Sequence, residues 1–416
     1  MSVWPRVPLG EIFEIARGGS PRPIDAYITD ADDGINWISI ADASDSSKYI
    51  ERTKRRIRPE GVARSRMVVP GDFLLTNSMS FGRPYIMRTT GCIHDGWLVL
   101  GKKRENIDPN FFYRLLGSET VYAAFAQLAA GATVKNLNID VVKGIPVPVP
   151  PLPEQRRIAA ILDQADALRA KRREALAQLD SLTQSILIEM FGDPVENPKC
   201  WPTIRLGDHT AKMGSGATPT GGDAAYKTSG ISLIRSLNVR DGVFAYKDLA
   251  FIDDAQAAKL SNVVVCAGDV LLNITGASVA RVCRAPMDVL PARVNQHVMV
   301  IRPKSTVDGV FLERMLLSRN MKRLLLQIGG SGATREAITK AQASELMVIC
   351  PPLALQQTFA TRIQAVESLK ATHRAALAES SALFASLQHR AFAGQLSTGQ
   401  RPAAFATIAP CAPPTP

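Results

Sequence analysis

From Glu154 to Met190 the chain repeats a seam at intervals of three and four: Ile158, Ile161, Ala165, Leu168, Arg172, Ala175, Leu179, Leu182, Ile186 and Glu189. The positions between are charged in near balance, among them Arg156, Arg157, Asp163, Asp166, Arg169, Lys171, Arg173, Glu174 and Asp180. This is the two-rowed pattern of a coiled coil. Neither glycine nor proline interrupts it before Gly192 and Pro194, so it predicts one helix of roughly 36 residues, about 54 Å long. Such a helix needs a partner for its stripe, and the chain contains one. Pro351-Pro352-Leu353 restates Pro150-Pro151-Leu152, and Gln356 stands where Gln155 did. The seam then returns as Phe359, Arg362, Val366, Leu369, His373, Ala376, Ser380, Leu383, Leu387 and Arg390, widened by Ile363 and Leu377. An antiparallel coiled coil is expected. Ile158, Ile161, Ala165, Leu168, Leu179, Leu182 and Ile186 would meet Phe359, Val366, Leu369, Leu383 and Leu387. Arg172 and His373 hold the matching central positions, where a polar residue fixes register at a cost in stability.

The repetition extends to the segments between. Trp4-Pro5 returns as Trp201-Pro202, Leu9-Gly10 as Leu206-Gly207, and Pro70-Gly71-Asp72-Phe73-Leu74-Leu75 as Ala267-Gly268-Asp269-Val270-Leu271-Leu272. Gly131-Ala132-Thr133 returns as Gly332-Ala333-Thr334. An internal repeat on this scale sets the architecture: globule, long helix, globule, long helix, tail. Within the first globule, 37–40, 67–76, 85–88, 97–100 and 145–149 read as short strands. In the second the same reading falls on 231–234, 263–274, 279–283, 298–302 and 347–350. Amphipathic helix patterns occupy 109–130 and 309–328. The expected fold class is α/β, or mixed α+β, with an internal pseudo-twofold. Its parts are a first globule over 1–150, a helix over 151–192, a second globule over 200–350, a helix over 351–394, and a tail over 395–416 whose Pro-, Ala- and Thr-rich composition predicts disorder.

Composition narrows the function. Forty-nine basic against 38 acidic residues leave a charge of +11, a hint of a polyanionic partner, with a merely solvated basic surface as the alternative. No run approaches the length of a membrane span and the first residues lack the apolar core of a signal peptide, so a cytoplasmic protein with no membrane contact is expected. Six scattered cysteines form no C-x-x-C pair, which supports neither zinc nor a disulfide framework.

Catalytic patterns are missing. Gly329-Gly330-Ser331-Gly332 lacks the lysine of a phosphate loop, and no dinucleotide fingerprint occurs. The five histidines show no metal spacing. His94-Asp95 is the one adjacent histidine–carboxylate pair, and its setting between Cys92 and Trp97 reads as a structural strand edge. Bound metal, cofactor and catalytic residues are therefore not expected in this chain.

What the two copies share is polar loops at equivalent places. The first loop carries Arg17, Ser20 and Arg22, against Lys212, Ser215 and Thr218. Small residues beside a base let the backbone approach a phosphate. Next come Ser39 and Asp42, against Arg235 and Asn238: one slot with different side chains, suited to reading different bases. A third loop follows the Pro-Gly-Asp turn, with Thr76, Asn77, Ser78 and Arg83 against Asn273, Thr275 and Arg281. The fourth sets Lys135 and Asn136 against Arg335. Each is a candidate DNA contact, the alternative being an ordinary glycine turn or solvated loop end. A basic cluster from Lys48 to Arg58 has no counterpart in the second half.

Across residues 1 to 395 the chain resembles the specificity subunits of type I restriction–modification systems. The likeness rests on the Pro-Gly-Asp turn at 70–75, Gly-Ala-Thr at 131–133, Pro-Pro-Leu-Pro-Glu-Gln at 150–155, and the half-and-half repeat, which departs to Pro-Pro-Leu-Ala-Leu-Gln at 351–356. The resemblance implies a non-catalytic subunit with two target-recognition domains. Each would read one half of a bipartite, asymmetric site in double-stranded DNA, with the helices setting the spacing. Two methyltransferase subunits would dock along the helices and methylate adenine with S-adenosylmethionine. A motor-nuclease (restriction) subunit, using ATP and magnesium, can join them. From the residues alone three other readings stay open: a stand-alone DNA-binding protein without methyltransferase partners, a coiled-coil scaffold, and, on the thinnest support, a hydrolase around His94 and Asp95.

Overall fold

The computed structural model describes residues 4–44, 48–77, 82–129, 137, 139–330 and 337–396. Ser78, Lys135, Asn136, Arg335 and the tail from Ser397 lie outside the described residues. The chain divides into two compact units, Met1–Lys171 with Leu377–Pro416, and Arg172–Ala376. Each globule is thus grouped with half of each long helix.

In the first unit the strands that position the site are β1 (Phe13–Arg17), β2 (Ile35–Ile38), β3 (Phe73–Thr76), β4 (Gly91–Ile93) and β5 (Trp97–Lys102). They belong to two five-stranded sheets. In one, β1, β5 and β3 lie side by side and antiparallel. In the other, β2 and β4 run parallel. The sheet of β5 is buried on both faces, which explains its nearly unbroken apolar strands. Leu98 and Leu100 pack with Phe73, Leu75 and the helices α1 (Pro109–Leu116) and α2 (Glu119–Ala129). Trp97 and Val99, pointing the other way, pack with Leu74, Ile38 and Ile93.

The second unit repeats this plan with β6 (Thr210–Ser215), β7 (Ile231–Ile234), β8 (Val270–Asn273), β9 (Ala292–Val294) and β10 (Val298–Pro303). Again β6, β10 and β8 are antiparallel neighbours, and β7 and β9 are parallel. Helices α4 (Gly309–Leu316) and α5 (Arg319–Gly330) cover the Val270, Leu272, Met299 and Ile301 face. The strands β1 and β6, which pair with β5 and β10, are absent from the expected strands; each carries polar residues and leads into a glycine loop. Each helix pattern read as one element is two, broken at Gly117-Ser118 and Leu317-Ser318. The break buries both serines, and Ser118 Oγ donates to the Leu115 carbonyl at 2.7 Å.

The repeated motifs have local physical reasons. Gly71 and Gly268 take φ of +97° and +81°, a region that favours glycine. The following aspartates accept backbone bonds from Val69 (2.9 Å) and Cys266 (2.7 Å). The turn therefore keeps Gly-Asp even where Pro70 becomes Ala267. Gln155 and Gln356 are fully buried. Their Oε1 atoms accept from the N–H of Asp108 and Asp308, both at 2.8 Å, and their Nε2 atoms donate to the Pro150 and Pro351 carbonyls at 2.8 and 2.7 Å. Asp108 and Asp308 in turn cap α1 and α4. One amide thus ties the start of each long helix to the cap of a globule helix. Gln155→Ala leaves a buried donor and acceptors unpaired, and we expect it to lower unfolding free energy by about 3 kcal/mol. Urea titration checks this, and a loss below about 1 kcal/mol would refute the tie.

The long helices are α3 (Leu152–Phe191) and α6 (Leu353–Phe392), 40 residues each. Within each unit their segments pair antiparallel. In the first, Arg157 donates to the Leu396 carbonyl at 3.0 Å and the Arg169 guanidinium lies 4.5 Å from the Phe384 ring. In the second, Phe191 meets Phe359 at 5.4 Å and Lys370 pairs with Asp180 at 2.6 Å.

The expected seam needs one correction. The row Ile158, Ala165, Arg172, Leu179, Ile186 and its counterpart Phe359, Val366, His373, Ser380, Leu387 are turned inward, buried or half-buried. The second row, however, falls one residue later than expected, at Leu162, Arg169, Leu176, Thr183 and Met190, and at Ile363, Lys370, Leu377, Phe384 and Ala391. Leu168 (36% exposed), Leu182 (43%), Leu369 (52%) and Leu383 (49%) therefore flank the seam and do not fill it. Counting apolar residues favours the leucine row in α3 but the buried row in α6. The fold instead buries the aliphatic stems of Arg169 and Lys370, whose charged ends reach a carboxylate. Ile161, in that same displaced row, is half-buried. Arg172 Nε and His373 Nδ1 have no hydrogen-bond partner among the described residues.

Candidate nucleic-acid interface

In each unit the chain leaves one sheet by β4 or β9 and enters the other by β5 or β10. The turn between them, 94–96 or 295–297, is where the first and third candidate loops meet.

In the first unit, Gly18 N–H donates to the Trp97 carbonyl (3.0 Å) and Gly19 N–H to that of Ile93 (3.1 Å). Arg17 Nε donates to the Asp95 carbonyl at 2.9 Å, Ser20 Oγ to Asp95 Oδ1 at 3.1 Å, and Arg22 approaches Asp95 Oδ2 at 3.5 Å. From the third loop, Asn77 N–H donates to the Gly96 carbonyl at 2.8 Å, and Leu137 N–H closes on the Asn77 carbonyl at 3.3 Å. The first and third loops thus meet at one turn, beside the segment that follows Lys135 and Asn136.

The second unit makes the same junction. Gly216 N–H donates to the Asn295 carbonyl (3.1 Å), Ile274 N–H to His297 (3.0 Å), and Ile338 N–H to Ile274 (2.8 Å). Thr218 Oγ1 donates to Gln296 Oε1 at 2.5 Å, and Thr275 Oγ1 bonds His297 Nδ1 at 2.5 Å. Lys212 and Ser215 lie half-buried on β6, and Arg281 is half-buried after the 276–278 turn. Arg83 is exposed, its guanidinium 5.2 Å from the Tyr85 ring.

Several candidates are committed to the fold. The slot shared by Ser39/Asp42 and Arg235/Asn238 is a matched cap. Asp42 Oδ2 accepts from Ser39 N–H (2.9 Å) and Asn238 Oδ1 from Arg235 N–H (3.0 Å). Asp42 and Asn238 are 5% and 0% exposed, so the aspartate and asparagine hold backbone and do not face solvent. Ser39 Oγ bonds Asp42 Oδ2 at 2.7 Å. Arg235 Nη2 donates to the Asp248 carbonyl at 2.6 Å, with its guanidinium over Tyr226. Thr76, Asn77 and Asn273 are likewise buried. Thr76 Oγ1 accepts from Arg83 N–H (3.1 Å), and Asn273 Nδ2 donates to the Ser236 carbonyl (2.8 Å). Small polar residues bounding glycine loops have the composition of a contact surface, but the same hydroxyls and amides serve backbone that leaves regular structure.

His94 is structural. Burial holds its imidazole below the ordinary range, against the pull of Asp95, and Nδ1 accepts from Gly96 N–H at 2.9 Å. Asp95, Gln296 and His297 were not among the expected contacts. The signal for them was the repeat itself, since His94-Asp95-Gly96 aligns with Asn295-Gln296-His297. No cluster of His, Cys, Asp or Glu among the described residues could hold a metal, and no described helix is long and apolar enough to cross a membrane.

This duplicated arrangement has relatives. Residues 1–178 match the family described as type I restriction modification DNA specificity domain. The type I restriction enzyme MjaIX specificity subunit of Methanocaldococcus jannaschii is 21% identical over 381 residues, covering 87% of this chain and 86% of that one. The EcoDI specificity subunit of Escherichia coli is 35% identical over 116 residues, 26% of each chain. Among solved structures, one describing complex assembly and conformational transition of the type I R-M system matches with a TM-score of 0.59 at 21% identity, covering 94% of this chain and 98% of that one. The S subunit of a type I system from M. genitalium matches at 0.54 and 14%, over 94% and 96%. These likenesses establish the mixed α+β fold. The first 178 residues match the model of the type I DNA specificity domain, and the chain as a whole is similar to type I specificity subunits.

Proposed function

We propose that each unit reads one half of a bipartite, asymmetric site in double-stranded DNA, and that the paired helices set the spacing between halves. On this reading the chain supplies recognition. Catalysis belongs to two adenine methyltransferase subunits that bind S-adenosylmethionine and dock along the helices, and cleavage to motor-nuclease subunits that use ATP and magnesium. The carrying observation is the recurrence of one junction, glycine loop against inter-sheet turn, with different side chains in each copy. A duplicated scaffold with unequal contact residues suits two half-sites of unequal sequence, and a charge of +11 suits their phosphates.

The docking part is supported by the displaced seam row. The helix registers put Leu168 level with Leu383 in the first unit and Leu182 level with Leu369 in the second. Equivalent rows of an antiparallel pair flank the same side, so each unit offers an uncovered leucine pair. Two matched pairs suit two copies of one partner.

Exchanging residues 1–150 for the equivalent part of a relative is expected to change the methylated sequence in one half-site only. Sequencing of modified bases in a host carrying the hybrid reads this directly. Changes in both halves would contradict independent reading, and an unmodified genome alongside full DNA binding would favour a stand-alone binder.

A further inference from the structure

Asp95 and Gln296 occupy one structural position. The strand register pairs Arg17 with Leu98 and Ser215 with Met299, which brings the Ser20-Pro21 and Thr218-Pro219 hydroxyls to the two equivalent turns. Each hydroxyl pins one oxygen of the turn side chain, Asp95 Oδ1 at 3.1 Å and Gln296 Oε1 at 2.5 Å. The Asp95 side chain is 45% exposed, its second oxygen 3.5 Å from the exposed Arg22 guanidinium, and Gln296 is exposed.

Around Gln296 the pinning is extended. Its Nε2 lies 3.2 Å from His297 Nε2, and the other ring nitrogen is bonded to Thr275. The chain of contacts from Thr218 through Gln296 and His297 to Thr275 orients the amide before any ligand arrives. A side chain held this way gives up less rotamer freedom on binding.

The chemistry at the two positions differs in kind. Asp95 only accepts, while Gln296 both donates and accepts. A carboxylate is repelled by phosphate, so its place at the centre of the junction, with Arg17 and Arg22 at its edge, suits contact with a base edge and not with the backbone. Resting on the DNA-reading function proposed above, we propose that Asp95 and Gln296 are the specificity-determining residues of the two units. Asp95 takes a hydrogen bond from the exocyclic amine of cytosine or adenine, and Gln296 makes the paired donor–acceptor contact to adenine, both in the major groove. Ser20 and Thr218 are positioning residues.

The test uses the full chain with its co-purified partner subunits, selecting from a library of randomised duplexes, with bound fragments sequenced. Asp95→Asn is expected to change preference by about 10- to 100-fold at one base position of one half-site. Gln296→Glu should do the same in the other half. Ser20→Ala should weaken the preference at the Asp95 position without moving it. Because the turn side chains are exposed, thermal midpoints should stay with the unsubstituted protein. Base preferences unchanged within twofold in both Asp95→Asn and Gln296→Glu would overturn this inference while leaving half-site reading intact. A change in both half-sites from either single substitution would instead overturn independent reading by the two units.

Discussion

Adding one methyl group at Gly18 or Gly216 is expected to unfold the recognition junction. Neither glycine has a positive φ, so the constraint is contact and not conformation. A Cβ on Gly18 would stand 2.0 Å from the His94 carbonyl oxygen and 2.7 Å from its carbon. On Gly216 it would stand 1.8 Å from the Val294 oxygen. The obstructing atoms are backbone, Val294 at the end of β9 and His94 directly after β4, strands paired on both sides, so they cannot yield as a side-chain tip would. We expect Gly18→Ala and Gly216→Ala each to cost about 3 kcal/mol, the upper end of overpacking. Each should also abolish reading of its own half-site, since the loop must lift off the turn. Gly71→Ala makes the comparison: a Cβ there meets nothing, and only its φ of +97° is unfavourable, so about 1 kcal/mol is expected. Denaturant midpoints for the three variants decide the matter, and equal losses at positions 18, 71 and 216 would refute close approach as the reason for these glycines.

Replacing Leu168 and Leu383 together by aspartate is expected to leave the first unit folded and remove one partner subunit. Both are already exposed, so their loss costs the fold little. Burying a leucine against a partner is worth about 1.5–3 kcal/mol. Losing two therefore weakens docking by roughly 3 kcal/mol or more, over a hundredfold, and two buried carboxylates would weaken it further. The Leu182 and Leu369 pair should behave alike in the second unit, and the fourfold variant should retain no partner and no methylation. Native mass spectrometry of the co-expressed complex reads the stoichiometry. Two partners still bound to the fourfold variant would exclude this face as the docking surface.

The sequence by itself determined the architecture. An unbroken run with a two-rowed apolar pattern admits only a long helix, and its return with the same Pro-Pro-Leu start and buried glutamine makes the duplication plain. The short apolar strands and the Gly-Asp turn were legible for the same reason: each follows from covalent geometry and from which side chains water excludes, both local properties. The mixed α+β class and the likeness to type I specificity subunits follow from that order of elements.

Tertiary structure decided which polar residues face outward and which seam row faces inward. Asp42 and Asn238 have the composition of base readers, yet their side-chain oxygens are needed by backbone N–H groups three residues earlier. Asp95 looked like half of a histidine–carboxylate pair at a strand edge, yet two loops distant in sequence close on it. Leu168 and Leu369 are the more apolar choice for the seam, yet Arg169 and Lys370 fill it because carboxylates lie within reach of their ends. For Asp95 the deciding partners stand far along the chain. For Asp42, Asn238, Arg169 and Lys370 they include groups only three residues away. It is the three-dimensional setting that turns those groups inward, and periodicity within one segment carries no information about it.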